Sequence, residues 1–161
     1  MNSLGSAPLP PIASDDHVLG SGPRQPRVIV YADYECPYCA ALEQRLVARA
    51  TTWVFRHFPV RSKHPRAWAA ACAAEAAALQ GRFAEMHASL YADQARLEDP
   101  HLWARASDLG LDVERFDADR RSERVLARVR RDFESGIRAG VVTTPTLFEH
   151  GTMRADVPAD A

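Results

Sequence analysis

The alternation of apolar and polar residues separates short strands from longer helices along this chain. A nearly continuous apolar run over 27–32 predicts a strand buried on both faces, and alternating residues over 52–58 predict a second strand. Strand character returns over 146–150, and a short return strand is expected over 152–155 after a glycine turn.

Helical periodicity fills residues 63–139, between the second and third of these strands. Apolar residues recur there at steps of three and four, which is the pattern of helices that pack on a core. Strands joined by a helix pair in parallel, and a closing hairpin adds antiparallel strands. The order of elements therefore predicts an α/β fold with a mixed sheet and an inserted helical subdomain at about 63–139.

The first part of the chain has a different composition from the rest. Residues 1–26 are rich in Pro, Ser, Gly and Asp, which predicts a flexible leader before a single domain over 27–161. Residues 1–11 contain no basic residue and no sustained apolar segment, so they do not have the pattern of a secretory signal. A cytoplasmic location is therefore expected.

The length and net charge of the chain exclude some classes of function. The chain has 161 residues, of which 47% are hydrophobic, and this suits one globular domain with a core of its own. A formal net charge of −1 gives no general attraction to nucleic acid or to membrane surfaces. No apolar run approaches the roughly 20 residues that span a bilayer. Neither nucleic acid nor membrane is expected as a partner.

The candidate chemistry lies in Cys36-Pro37-Tyr38-Cys39, directly after the first predicted strand and at the start of a helix. Unpaired backbone N–H groups and the macrodipole at a helix N-terminus favour negative charge. Such an environment lowers a thiol pKa from about 8.5 to roughly 3.5–7.5, and the thiolate is the species that attacks disulfides. The motif therefore predicts dithiol–disulfide exchange, with Cys36 as the low-pKa thiol.

Metal binding is the main alternative for the same two thiols. A structural zinc site needs four ligands, usually from two cysteine pairs, and only Cys72 and scattered histidines remain. Cys72 shares a helix face with Trp68 and is predicted to be a core residue. No metal site and no cofactor are predicted, although two thiolates are also a ligand set for a soft ion such as Cu(I).

Further motifs follow the cysteine pair in a definite order. The segments are Val28 to Cys39, Phe55 to Pro59, His64-Pro65, Leu109 to Asp112, and Gly140-Val141 followed by Thr143 to Phe148. Together they resemble the DsbA-like branch of the thioredoxin superfamily over residues 17 to about 152. The combination of Cys-Pro-Tyr-Cys with a downstream Thr-Pro-Thr is specific, whereas either motif alone is not.

The resemblance implies a thioredoxin fold and a role for each site residue. Cys36 would be an exposed nucleophile and Cys39 the resolving thiol. The Thr144–Pro145 bond would be cis and lie against the cysteines, leaving the Thr144 backbone free to pair with an extended substrate. Pro37 and Tyr38, together with Thr144 and Pro145, are the implied substrate-binding residues.

This chain departs from the family pattern in two places. One affects catalytic turnover and the other affects how the sheet is covered. Relatives commonly carry an acidic residue six positions before the first cysteine, where this chain has Val30, so Asp33, Glu35 or water would have to take its place. Relatives also continue into a final helix. The closing residues 157–161 are too few to form this helix, and they contain a proline. An exposed sheet face is therefore expected, open to a dimer or another partner.

These observations favour a DsbA-like protein-disulfide oxidoreductase or isomerase that acts on thiol and disulfide protein substrates. One alternative is a non-catalytic thioredoxin-like module that binds a soft metal or a partner protein. A glutathione-linked reductase is the other, because glutaredoxins favour the Pro37-Tyr38 dipeptide. That comparison predicts an intermediate reduction potential, roughly −190 to −240 mV.

Overall fold

The computed structural model describes residues 7–22 and 25–156. The elements run in chain order as β1 (His17–Gly20), β2 (Val28–Ala32), α1 (Pro37–Ala48), β3 (Thr52–His57), α2 (Ala67–Ala78), α3 (Phe83–Ala92), α4 (Asp99–Asp108), α5 (Val113–Asp119), α6 (Glu123–Arg138), β4 (Thr146–Glu149) and β5 (Thr152–Arg154). None of these helices is both long and apolar enough to cross a bilayer.

The strands form one mixed sheet in the order β1-β3-β2-β4-β5. β2 pairs in parallel with β3, as expected for two strands joined by a helix, and antiparallel with β4. β4 and β5 form the predicted closing hairpin. The α/β fold with a mixed sheet and a helical segment between β3 and β4 is confirmed.

The larger core lies on one face of the sheet. Val28 and Val30, which point to the same side of β2, join a buried cluster with residues from all six helices α1–α6. The alanine-rich α2 lies at the centre of this cluster, and most of its residues are buried. Because alanine side chains are short, the neighbouring helices approach α2 closely.

The opposite face of the sheet is also covered. Ile29, Tyr31, Val54 and Phe148 are at most 6% exposed there, packed against the end of α6 and the segment around Leu9. The expectation of an exposed sheet face is therefore wrong for the described residues. Residues 157–161, on which the expectation about a final helix rested, lie outside the part of the chain that the structure describes.

The predicted flexible leader is wrong for the segment that contains β1. His17–Gly20 pairs antiparallel with β3 and forms an edge of the sheet. Just before it, the buried Arg56 guanidinium donates to the Asp16 carboxylate at 2.9 and 3.1 Å and to the carbonyls of Pro10 and Pro11, each at 3.0 Å. Composition predicted a loop, but these oxygens are the acceptors that a buried guanidinium requires. Residues 1–6 and 23–24 lie outside the described parts.

The buried pair gives a direct test of the N-terminal segment. The side chains of Arg56 and Asp16 are only 4% and 2% exposed, so Asp16→Ala leaves a buried cation with its main acceptor removed. We expect the free energy of unfolding to fall by about 3–5 kcal/mol, measured by urea denaturation. Asp15→Ala is the matched control, because Asp15 is 54% exposed and pairs with Arg131 at the surface. Asp15→Ala should lower the free energy of unfolding by less than about 1 kcal/mol. Equal decreases for the two variants would contradict the stabilising role of the Asp16–Arg56 pair.

Candidate active site

The turn between β2 and α1 places Cys36 at the N-cap of α1. Cys36 has extended backbone angles (φ −78°, ψ 120°), and Pro37 is the first helical residue. Proline fits there because its missing N–H would have no intrahelical partner in any case. The Cys36 carbonyl accepts from Cys39 N at 3.2 Å and from Ala40 N at 3.3 Å. The sequence expectation for this turn and helix start is confirmed.

The loop before β4 lies against this turn, because β4 is the strand next to β2. The Cys36 Sγ lies 3.6 Å from the Thr144 carbonyl oxygen, although 108 positions separate the two residues. The Thr144–Pro145 peptide bond is cis. Cys39 Sγ accepts from the backbone N–H of Asp33 at 3.5 Å. The Cys-Pro-Tyr-Cys turn and the Thr-Pro-Thr segment therefore come together at one place.

Exposure differs among the predicted site residues. Cys36 is only 2% exposed, so the expectation of an exposed nucleophile is wrong for this conformation. The thiol is covered because the loop containing Thr144 lies against it. Pro37 is exposed, and Tyr38 is 73% exposed beside it, while Thr144 and Pro145 are half-buried. The two exposed side chains therefore flank a thiol that is itself shielded.

Hydrogen bonds lower the pKa of Cys36 from 9.0 to about 6. The largest cause is a hydrogen bond from the Cys39 thiol, which outweighs the opposing effect of burial. Backbone N–H groups of Cys39 and Tyr38, in the first turn of α1, and the Thr144 side chain lower it further. Helix N-terminal amides thus favour the Cys36 thiolate, as the sequence predicts, but the second thiol contributes more.

The other two thiols behave in the opposite way. Burial, followed by the Cys36 side chain, raises the pKa of Cys39 far above its ordinary value. Burial also raises the pKa of Cys72 to about 12, and Cys72 packs in the larger core as predicted. All three cysteines are free thiols in this structure. At neutral pH the thiolate therefore resides on Cys36.

The carboxylates near the site are held in place by other groups. Asp33 is buried, and its oxygens accept from Glu35 N at 2.8 Å, Val60 N at 2.8 Å and the His64 ring at 2.9 Å. The Glu35 carboxylate accepts from Arg66 N at 2.8 Å and from Arg66 Nε at 2.9 Å. Both groups therefore fix the turn between β2 and α1 and its contact with the helical segment.

The helical segment also supplies residues that no motif indicated. The Gln94 side-chain amide donates to the carbonyls of Tyr34 at 2.8 Å and Cys36 at 3.0 Å. The Tyr91 hydroxyl donates to the Asp33 carbonyl at 3.3 Å. These side chains lie 58 to 60 positions after the backbone groups they bind. They hold the cysteine turn through its backbone, so neither their residue types nor their spacing could have identified them.

Comparison with known proteins assigns the family. The family model described as Thioredoxin matches residues 13–158, and the chain belongs to this family. A thioredoxin-like oxidoreductase from Silicibacter pomeroyi DSS-3 is 25% identical, with a TM-score of 0.75 over 92% of this chain and 87% of that one. BdbD from Bacillus subtilis is 18% identical, with a TM-score of 0.73 over 94% of this chain and 90% of that one. These likenesses show a thioredoxin fold.

Curated relatives of higher identity are much longer proteins. A Na(+)/H(+) antiporter NhaA 1 from Mycolicibacterium gilvum is 42% identical over 144 residues, covering 84% of this chain and 23% of the antiporter. An antiporter NhaA from Herminiimonas arsenicoxydans is 41% identical over 149 residues, covering 88% of this chain and 24% of the antiporter. The chain spans about a quarter of the length of these relatives.

The unequal pKa values of the two thiols predict unequal reactivity. In the reduced protein, alkylation of Cys36 by iodoacetamide should rise with pH through a midpoint near pH 6, as its thiolate forms. Cys39 should remain nearly unreactive throughout this range. Mass spectrometry of the labelled peptides measures both rates, and faster labelling of Cys39 below pH 7 would reverse the assignment.

The same pKa predicts how pH changes stability. Because folding lowers the Cys36 pKa from 9.0 to about 6, its stabilising contribution is complete above pH 9 and disappears as pH falls through 6. The stability advantage of reduced wild-type protein over Cys36→Ser should therefore shrink steadily from pH 9 to pH 6. Urea denaturation at several pH values measures this difference, and a pH-independent difference would contradict it.

Proposed function

We propose that this chain is a thiol–disulfide oxidoreductase that exchanges disulfides with protein substrates through Cys36 and Cys39. The supporting observation is the asymmetry of the pair: Cys36 has a pKa lowered to about 6, whereas burial raises that of Cys39. A nucleophilic thiol must be ionised at the working pH. A resolving thiol must stay protonated until the mixed disulfide has formed. The pair meets both requirements.

The exchange proceeds in two displacements. The Cys36 thiolate attacks one sulfur of a substrate disulfide, a mixed disulfide forms, and the other substrate sulfur leaves as a thiolate that takes up a proton. Cys39 then loses its proton and attacks the Cys36 sulfur, which releases the second substrate thiolate. The substrate gains two electrons and the protein ends with a Cys36–Cys39 disulfide. The reverse sequence oxidises a dithiol substrate.

An apolar cavity offers a place for the substrate chain. It has a volume of about 670 Å³ and lies between the loop after β3, helix α6 and the loop before β4, with Phe58, Trp68, Phe133 and Val142 among its lining residues. Val142 is 88% exposed at its rim, two residues before Thr144. An extended substrate pairing with the Thr144 backbone would place apolar side chains in this cavity.

Reduction of insulin by dithiothreitol tests the proposal. Cys36→Ser should lower the rate to that of dithiothreitol alone, because the attacking thiolate is lost. Cys39→Ser should accumulate a mixed disulfide with the substrate, visible on a non-reducing gel, because nothing resolves it. Cys72→Ser is the control and should keep the wild-type rate, since Cys72 is a core residue.

The outcomes separate the three candidate functions. Unchanged insulin reduction in Cys36→Ser would contradict the oxidoreductase proposal and favour a non-catalytic binding module. Activity that appears only when glutathione replaces dithiothreitol would favour a glutathione-linked reductase. Activity with dithiothreitol that requires both Cys36 and Cys39 is the result we expect.

Val30 defines a further prediction about proton transfer. Cys39 must lose its proton for resolution, and the Asp33 carboxylate already accepts three hydrogen bonds. Val30 and Cys39 belong to the same buried cluster, and the family pattern carries an acidic residue at this position, so a carboxyl group introduced there would be a candidate proton acceptor. Val30→Glu should therefore turn over insulin faster than the isosteric Val30→Gln, by up to about 100-fold.

Stability measurements complete that comparison. Both substitutions bury a polar side chain at a position that is 2% exposed, and each should lower the free energy of unfolding by about 1–3 kcal/mol. Equal turnover of the two folded variants would mean that another group or water already takes the Cys39 proton.

A further inference from the structure

Two histidines and a glutamate from three separate elements converge beside the larger core. His17 lies on β1, His57 ends β3 and Glu75 lies on α2. The Nε2 atoms of His17 and His57 are 2.6 and 2.8 Å from the same Glu75 oxygen, Oε1. The three ligand atoms all lie within 4.8 Å of one another. No sequence motif links positions so far apart, and the redox chemistry proposed above makes no use of them.

The cluster is buried and its rings are held in position. The side chains of His57, Glu75 and His17 are 0%, 8% and 15% exposed. The His17 ring stacks on the Phe83 ring at a centroid distance of 3.5 Å with an interplanar angle of 5°. A tight stack of this kind fixes the orientation of the His17 ring and the direction in which Nε2 points. The donors are therefore arranged before any ligand arrives, which lowers the entropy cost of binding.

We propose that His17 Nε2, His57 Nε2 and Glu75 Oε1 form a binding site for a divalent transition metal, with Zn²⁺ the best match. Two imidazoles and one carboxylate are a donor set that Zn²⁺ uses, with the fourth position left to water. Metal–ligand distances of about 2.0–2.2 Å require the donors to be roughly 3.3 Å apart in tetrahedral geometry. The present nitrogen–oxygen distances of 2.6 and 2.8 Å must therefore widen by roughly 0.5–0.7 Å, through a shift of the edge strand β1 and the Glu75 side chain.

Metal binding also requires protons to move. Each Nε2 atom now donates a proton to Glu75 Oε1, and coordination needs that nitrogen lone pair instead. If the imidazole is neutral, its one proton moves from Nε2 to Nδ1. If the imidazole is positively charged, the Nε2 proton is released to solvent. Among the described residues, the buried His57 Nδ1 has no hydrogen-bond partner. Nothing at that nitrogen therefore holds the ring in the Nε2–H form.

A cavity gives the ion a route to the cluster. It has a volume of about 420 Å³, and both His17 and Glu75 line it, so the fourth coordination position faces water. Arg124, Arg128 and Arg131 also line it. Arg128 and Arg131 pair with Asp15, at 3.4 and 2.6 Å, and with Asp132, at 3.5 and 3.7 Å, so two carboxylates offset the charge of these two arginines beside the entry. A bound ion would join β1 to β3 and α2, so it would act as a structural link.

Metal binding is tested on the full chain with the Cys36–Cys39 disulfide formed, so that neither thiolate is available to the ion. Co²⁺ serves as the spectroscopic probe and Zn²⁺ as its competitor. We expect one Co²⁺ per chain with visible d–d bands, and displacement by Zn²⁺. His17→Gln and Glu75→Gln should each weaken binding by more than about 10-fold. His101→Gln is the control, because His101 is 41% exposed and pairs with Glu98 elsewhere on the surface.

Thermal melting provides a second readout. Zn²⁺ should raise the melting temperature of wild type and His101→Gln, and this rise should be absent in His17→Gln. His17 is the more accessible ligand, so this variant decides the result even if Glu75→Gln fails to fold. No saturable binding by the oxidised protein would overturn the site. Unchanged affinity in His17→Gln, or a thiolate–cobalt charge-transfer band that places the ion on Cys72, would also overturn it.

Discussion

Antiparallel pairing between β2 and β4 is the constraint on which the rest of the candidate site depends. Tyr31, near the end of β2, lies opposite Thr146 at the start of β4. Because the two strands run in opposite directions, the turn after β2 and the loop before β4 meet at the same edge of the sheet. Cys36 therefore reaches Thr144 however long the helical segment between them is. The helices then return to this edge, and Gln94 binds the cysteine turn through its backbone carbonyls.

Two thiols three positions apart differ because only one of them lies at the helix start. Cys36 receives hydrogen bonds from the Cys39 thiol and from first-turn amides, which stabilise its negative charge. Cys39 lies inside the first turn, where burial disfavours the charge. The same hydrogen bond between the two thiols lowers one pKa and raises the other. A short motif therefore produces two chemically distinct groups, which explains why its placement after a strand carries more information than its composition.

Sequence periodicity predicted the strands, the helices and the cysteine turn because these depend on local patterns and on burial of one face. It failed where a single long-range partner decides the structure. The segment before β1 has the composition of a loop, yet Asp16 pairs with Arg56, 40 positions away. The covering of Cys36 depends on the loop around Thr144, and the role of Gln94 depends on helix packing. None of these contacts leaves a periodic signal, so they required the folded chain.

The N-terminal edge strand has a consequence for how this molecule opens. Edge strands usually detach at a small free-energy cost and exchange their amide hydrogens readily. Here, release of β1 together with the segment before it would remove Asp16 and the Pro10 and Pro11 carbonyls from the buried Arg56 guanidinium, and His17 from the Glu75 carboxylate. Local opening at this edge is thus coupled to disruption of the core beneath it. The amides of β1 should consequently share the slow exchange of the central strands, and residues 7–20 should unfold together with the middle of the sheet.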